Sequence, residues 1–469
     1  MAIRLSEEQV LKATGATRSR IGARASYQAV CTDTRHLSPG CLFLALEGDR
    51  FDAHDFLSQA AEGGATGVVV RKGKTDKLPG PDVAVYEVDD TLKALGALAH
   101  FHRTRFKIPI GAVTGSNGKT TTKELIAAIL STRGPALHTE GNLNNEIGVP
   151  LTLFRLEPRH VAAIIEMGMN HAGEIARLTA IAEPDAGMIT VVQRAHLEGL
   201  GSLEGVAQAK GELFAGLKPG STAVVNLDDP LIADQAQGLV PGVKRLTFGS
   251  GGNAQVRLLS VVSHGVDGLA IVIGFEGQQW PIALKLIGNH NAMNAAGAFA
   301  MAIALGFSPL ECVQGLEAAR AHARRLEVVP GLEGVTVIDD CYNANPASME
   351  AALDALASLS SHSRAIAVLG DMLELGAGEL TEHAQLGLKA AQQTAVVAFF
   401  GERMKSAYAQ AVGKLAHNAG HFVAVEPLVV WLRGQLRAGD TVLVKGSRGM
   451  KLERVVEALT GTARAEGSH

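Results

Sequence analysis

Ala112–Leu130 reads AVTGSNGKTTTKELIAAIL, the end of an apolar strand, a glycine turn and the start of a helix. Gly115 and Gly118 let the backbone approach a phosphate closely. Successive N–H groups and the helix start supply positive potential there. Lys119 is placed to reach β- and γ-phosphates, and the Thr120 hydroxyl to hold Mg²⁺. The common form of this loop carries a glycine five residues before Gly118, where this chain has Val113. The spacing present is the shorter Gly115-x-x-Gly118-Lys119-Thr120. A strand before it and a helix after it support a phosphate site made of Gly115, Ser116, Asn117, Gly118, Lys119, Thr120 and Thr121.

Outward from this loop, apolar runs alternate with helical patterns, the signature of βαβ units and mostly parallel sheets. Several runs end in a polar residue: IPIGAV in Thr114, VAAIIE in Glu166, TAVVN in Asn226, VTVI in Asp339-Asp340, AIAVLG in Asp371 and TVLV in Lys445. Ligands of open α/β sheets bind at the carboxyl ends of strands, so these ends put polar chemistry along the rims of at least two sheets. Glu166 there can ligate Mg²⁺ or orient a water, or it can simply cap a helix. Residues 244–287 break the rhythm. KRLTFG, AQVRLLSVV, LAIVIGF and WPIALKLIG, parted by Gly/Asp turns, read as an antiparallel meander, with helical texture returning at Ala292–Leu305.

The chain has 469 residues, 47% of them hydrophobic and only 4% aromatic, with 53 glycines, which favours helix-on-sheet layers in about three domains. Boundaries are expected near the LPGPD segment (78–82) and near 316–326, where ARAHARRLE interrupts the apolar texture, giving domains 1–83, 84–318 and 319–469. A formal charge of −4 without a Lys/Arg-rich tract argues against nucleic acid as a partner. Cys31, Cys41, Cys312 and Cys341 have no metal-ligand spacing and read as buried free thiols. The charged N-terminus is not a signal peptide, and no apolar run reaches the ~20 residues of a membrane span. A cytoplasmic protein is expected.

Taken together, the motifs resemble the Mur ligases of peptidoglycan synthesis, in particular the MurF family that adds D-alanyl-D-alanine. The likeness rests on TDTR (32–35), FDAHDF (51–56), TGSNGKTTTKE (114–124), EGNLNNEIGVPLTL (140–153), EMG (166–168) and AHLEGLGS (195–202). It continues through AQAKGE (207–212), GNHNAMNAAGA (288–298), DDCYNANPASM (339–349), GDMLELG (370–376) and VKGSRGMKLE (444–453). It implies an α/β fold of three domains: a small UDP-sugar-binding domain, a central P-loop domain with an antiparallel β insertion, and a Rossmann-like C-terminal domain. The implied reaction joins D-Ala-D-Ala to UDP-N-acetylmuramoyl-tripeptide at the expense of ATP, through an acyl phosphate. A monomer is expected. Other Mur ligases and folylpolyglutamate synthase share the plan, but DDCYNANPAS (339–348) favours the dipeptide-adding branch. Outside the ligases, a P-loop nucleotide switch would share only the loop.

The resemblance also implies roles. Thr120 and Glu166 would bind one Mg²⁺ and His196 a second, with Lys210 carbamylated by CO₂ into a metal ligand. Lys119, Lys210, His196 and Glu166 would form the catalytic set. From the residues themselves, Lys210 lies in a helix begun by Ser202, and the reading they favour is a surface lysine paired with an acid such as Glu212. His290, Asn291, Asn294, Arg325 and Asp340 would meet ATP, although Asn-rich turns are also caps. Thr34, Arg35, Ala45, Gly48, Phe51 and His54 would line the UDP-sugar pocket, with Asn142, Asn144 and Asn145 in a loop near the metals. Tyr342, Asn343, Asn345, Lys445, Ser447 and Arg448 would bind the peptide and the incoming dipeptide. Three positions depart from the family pattern: Ala53 for Gly, Val191 for Asn, and Arg324 for the Gly before Arg325.

Overall fold

The computed structural model describes residues 3–24, 26–48, 51–74, 79–194, 197–360 and 363–462. It forms two compact units, one of Met1–Ala112, Gly134–Met169 and Glu174–Pro184, the other of Val113–Arg133, Asn170–Gly173 and Asp185–His469.

In the first unit a five-stranded sheet has the order Thr17–Arg20, Ala84–Val88, Gly67–Arg71, Leu42–Leu44, Val30–Cys31. All neighbours are parallel except Thr17–Arg20, which runs antiparallel at the edge. GVVVR and LFL are continuous apolar runs, as strands covered on both faces require, and Phe43, Val68, Val70 and Val85 pack in one buried cluster. Ala84–Val88 pairs along its whole length with Gly67–Arg71. The first sheet therefore runs past residue 83, and the prolines of 79–82 mark a connection within it, not a linker. The unit also carries the strands Ala162–Glu166 and Ala136–His138, paired in parallel beside the start of Ile110–Thr114.

Strand Ile110–Thr114 continues into the second unit, where the order outward is Ala186–Ile189, Thr222–Asn226, Lys244–Gly249, Val256–Ser263, Leu269–Phe275, Gln278–Leu284. The last three are antiparallel. Lys244–Gly249 is not part of that meander: it pairs in parallel with Thr222–Asn226 over its length and with Val256–Ser263 at two positions. Helix His290–Ala304 follows, starting two residues earlier than the apolar texture predicts.

A second sheet in this unit has the order Glu327–Pro330, Thr336–Asp340, Thr441–Lys445, Ala365–Gly370, Val396–Phe400, Ala419–Phe422, parallel except for the first strand. Alternation decides its layers. Ile338, Ala367, Leu369, Val397, Phe399 and Leu443 face one buried cluster, while Val337, Ile366, Val368, Ala398, Val442 and Val444 face the other. Each large apolar side chain buried this way contributes roughly 1.5–3 kcal/mol.

All six expected polar ends lie at strand carboxyl termini, Thr114, Glu166, Asn226, Asp340 and Lys445 as final residues and Asp371 just beyond Gly370. The four cysteines are free and buried. No helix among the described residues is long and apolar enough to cross a membrane.

Candidate active site

The phosphate loop joins strand Ile110–Thr114 to helix Lys119–Leu130, whose N-cap Gly118 has φ 79°. A Cβ on Gly118 would lie 2.6 Å from Asn294 Oδ1, and one on Gly115 (φ 151°) would strike the Thr190 hydroxyl. Both glycines are thus required by conformation and by space. A helix start leaves its first N–H groups without intrahelical partners, which makes it an anion site. Ser116 is buried, and its hydroxyl donates to the Gln193 carbonyl (2.9 Å) and accepts the Gln193 N–H (2.9 Å). The Ser116 N–H donates to the Val191 carbonyl, a backbone bond that Val serves as well as Asn. Lys119 Nζ donates to the carbonyls of Gly115 (2.7 Å) and Ser116 (3.4 Å), so the ammonium lies over its own loop.

Arg325 converges on this loop. Its Nη2 donates to Thr120 Oγ1 at 2.9 Å, its guanidinium lies 4.2 Å over the Tyr342 ring, and its Nε is buried without a partner among the described residues. Arg324 has φ 63°, in the left-handed region, and its Nη1 lies 3.8 Å from Glu453 Oε1. The two arginines therefore point to different sites, with Arg325 at the phosphate loop. Asn294, one helical turn after His290, sits against Gly118, and its amide donates to Asn291 Oδ1. Asn291 is buried, and its Nδ2 donates to the Ile287 carbonyl and ties the helix start to the residues before it, so it is not a free contact. His290, Asn289, Ser263, Asp354 and Ser358 line a cleft of about 230 Å³.

Lys210 is 1% exposed in mid-helix Leu203–Ala215, which Ser202 caps through the Gly205 N–H. The surface reading of this lysine is excluded. Glu212 instead accepts the Gly173 N–H at 2.6 Å. Burial, reinforced by the nearby Lys119 cation, holds the Lys210 amine well below the usual lysine range. His196 lies outside the described residues.

Asp340 and Lys445 occupy paired positions on adjacent strands and form a buried ion pair at 2.7 Å. Asp340 also accepts the Leu326 N–H, and Lys445 donates to the Asn343 carbonyl at 3.0 Å. The Ser447 hydroxyl accepts the Leu373 N–H at 3.0 Å, stitching its loop to the GDMLELG turn. Asn345 caps helix Pro346–Leu359. Arg448 pairs with Glu453 at 3.0 Å. Of the six residues expected to bind peptide, Asn345, Lys445 and Ser447 thus already hold the scaffold with their polar atoms.

In the first unit, Glu166 is 2% exposed; Oε1 accepts from Asn144 Nδ2 at 2.8 Å, and Oε2 is buried without a partner among the described residues. This donor set suits a hard cation and does not match a helix cap. Asn145 accepts the Ile147 and Gly148 N–H groups, capping helix Gly148–Leu153, and Asn142 is exposed. His54 is buried with both ring nitrogens engaged: Nδ1 meets Asp52 Oδ1 at 2.6 Å, and Nε2 accepts the Arg71 N–H at 3.0 Å. It ties the Asp52–His54 turn to strand Gly67–Arg71, while Phe51 is 74% exposed. Gly48 donates to the Phe51 carbonyl, Ala45 to that of Val69, and Ala53 to that of Leu46, so the Ala53 departure sits in an ordinary turn. Arg35 is exposed and grips Asp33, which it holds well below the usual carboxylate range, next to Thr34.

A glycine loop opening a helix at a parallel-sheet rim, with a lysine and an arginine converging on it, defines a P-loop nucleotide-binding α/β protein. Three family descriptions match the chain: Mur ligase family, catalytic domain at 26–103, Mur ligase middle domain at 113–302, and Mur ligase, glutamate ligase domain at 324–448. The UDP-N-acetylmuramoyl-tripeptide--D-alanyl-D-alanine ligase of Escherichia coli is 39% identical over 93% of this chain and 95% of its own. A crystal structure of MurF from Acinetobacter baumannii has a TM-score of 0.89 at 31% identity, covering 98% of this chain and 100% of that one. MurF from Thermotoga maritima, in complex with ADP, has a TM-score of 0.79 at 26% identity over 92% and 96% of the two chains. The chain belongs to the Mur ligase family and has its three-domain α/β architecture.

Proposed function

We propose that this chain is an ATP-dependent ligase that joins D-alanyl-D-alanine to UDP-N-acetylmuramoyl-tripeptide, acting as a cytoplasmic monomer. The observation that carries this is the phosphate loop with Lys119 and Arg325 converging on it, in a chain similar end to end to enzymes named for that reaction.

The tripeptide carboxylate attacks the γ-phosphorus of ATP, ADP leaves, and an acyl phosphate forms. The dipeptide amine then attacks the acyl carbon, and phosphate departs from a tetrahedral intermediate as the amine loses its proton. Negative charge gathers between anions in both steps, so catalysis is mainly positioning and charge stabilisation. Lys119 exchanges its loop carbonyls for phosphate oxygens, and Arg325 turns its unpartnered Nε and its Nη2 toward the same phosphates. His290 and Asn294, one turn apart, lead from the phosphate loop to the cleft of about 230 Å³, which takes the base. Thr120, Glu166 and His196 would hold Mg²⁺, which when bound neutralises the charge shared by phosphate and carboxylate. Lys210, whose amine burial holds below the usual lysine range, would lose a proton on adding to CO₂ and as a carbamate would help to hold the metal. Phe51, with Thr34 and Arg35, meets the UDP-sugar, and Asn343, Tyr342 and Arg448 meet the peptides. Asp340 and Lys445 shape that site as a pair.

Phosphate release measured with and without D-Ala-D-Ala, at saturating UDP-tripeptide, tests the reading. Amine-dependent release is expected, and amine-independent release sinks it. Lys119→Ala should lower kcat at least about 100-fold.

A further inference from the structure

We propose that Asn345 and Gln193 are positioning residues of the phosphate loop, which grip Asn117 from two sides and set the affinity for ATP and not for the dipeptide. Asn117 stands at the tip of the loop, just before the left-handed Gly118. Its Nδ2 donates to Gln193 Oε1 at 2.5 Å and to Asn345 Oδ1 at 3.2 Å, and its Oδ1 accepts from Asn345 Nδ2 at 2.8 Å. Its carbonyl accepts from the Thr190 hydroxyl at 2.5 Å. The amide orientations follow from one fixed donor. The Ser348 N–H points at Asn345 at 2.9 Å and requires an oxygen there. Asn345 therefore turns its NH₂ to Asn117, which must answer with its oxygen, leaving the Asn117 NH₂ for Gln193 Oε1.

Every polar atom of the Asn117 side chain is thus engaged in holding the turn. Asn345 has likewise committed its oxygen to Ser348 and Asn117 and one N–H to Asn117. Gln193 adds two backbone bonds to the Ser116 hydroxyl, so one residue fixes both central positions of the turn. A turn held in its phosphate-binding shape binds without paying the ordering cost at that moment.

The inference rests on reading the loop as the ATP site. The test is steady-state kinetics of the full chain with Asn345→Asp and Gln193→Ala, reading KM for ATP and for D-Ala-D-Ala separately. Aspartate still caps Ser348, so the fold is kept, but it has no N–H for Asn117. KM for ATP should rise about fivefold in each variant, with KM for the dipeptide unchanged, because one hydrogen bond is lost on one substrate's side. A rise for D-Ala-D-Ala alone in Asn345→Asp, or no change for either substrate, overturns the proposal. ADP titration by calorimetry separates this from the ligase reading. If the wild type binds ADP without amine-dependent turnover, the ligase reading fails, and equal ADP affinity in wild type and variants would defeat the positioning role on its own.

Discussion

Lys123 and Lys210 both sit in helices with no exposed surface to speak of, at 0% and 1%, yet the fold treats them in opposite ways. Lys123 has a carboxylate beside it, Glu124 Oε1 at 2.6 Å. Lys210 has no hydrogen bond to its Nζ among the described residues, and the charge that acts on it is another cation, Lys119. Taking an ammonium out of water costs several kcal/mol, and only a counter-charge or loss of the proton relieves it. Lys123 has such a counter-charge beside it, whereas burial and the Lys119 cation hold the Lys210 amine well below the usual lysine range. A structural lysine has no use for a neutral amine, whereas a nucleophile or ligand precursor requires one. On the proposed function, Lys210 is the chemical lysine of the pair.

The largest effect that would break this contrast is on turnover. Lys210→Ala should lower kcat at least about 100-fold with little change in thermal midpoint, since the lysine contributes chemistry and not an ion pair. Short carboxylic acids, formate or acetate, should restore part of the rate by standing in for the carbamate. Full activity without added acid would remove Lys210 from the mechanism. Loss without rescue would leave an essential amine and no carbamate.

The same physics on a histidine gives a pH signature. His102 is buried, its Nε2–H faces the Leu156 carbonyl at 3.2 Å, and burial pushes its pKa down to about 4. The unfolded chain takes up the proton near 6.5 and the folded chain only near 4. Between these values the unfolded state binds more protons, so stability falls as the pH falls through this window. The loss from this one group is roughly 3 kcal/mol. His102→Gln should be less stable than wild type at pH 7 and should close most of that gap by pH 4.5 in urea melts. Parallel pH profiles for the two proteins would show that His102 is already charged in the fold.

The loop and the polar strand ends were readable because each is a local pattern: a glycine turn between strand and helix, or an apolar run stopped by a charge. What escaped was set by distant pairing. Gln193 has no motif of its own, and its meaning lies in Asn117, far away in sequence. Adjacent arginines look alike until a left-handed φ at Arg324 sends them to separate sites. KRLTFG reads as meander because its turns are local, whereas its parallel partner Thr222–Asn226 comes from the preceding βα unit. Asn145, Asn291, Ser447 and His54 have the polarity of ligand contacts, but their atoms are engaged in caps and loop ties, a distinction that composition does not carry.

The smallest effect is expected at Lys123 itself. Methionine matches the lysine stem in length and removes the charge, so Lys123→Met exchanges a buried ion pair for apolar packing of similar volume. Such replacements are often neutral or stabilising, because the desolvation of the ammonium disappears together with its attraction. The partner is not stranded either: the Glu124 side chain keeps 24% of its surface in water, and His322 Nε2 lies 3.6 Å from its Oε1. The thermal midpoint should therefore move by no more than a change of about 1 kcal/mol implies, with kcat within about twofold of wild type. A large loss of kcat with the fold intact would mean that Lys123 holds the phosphate loop through its charge, and the division between a structural and a chemical lysine would then fail from the other side.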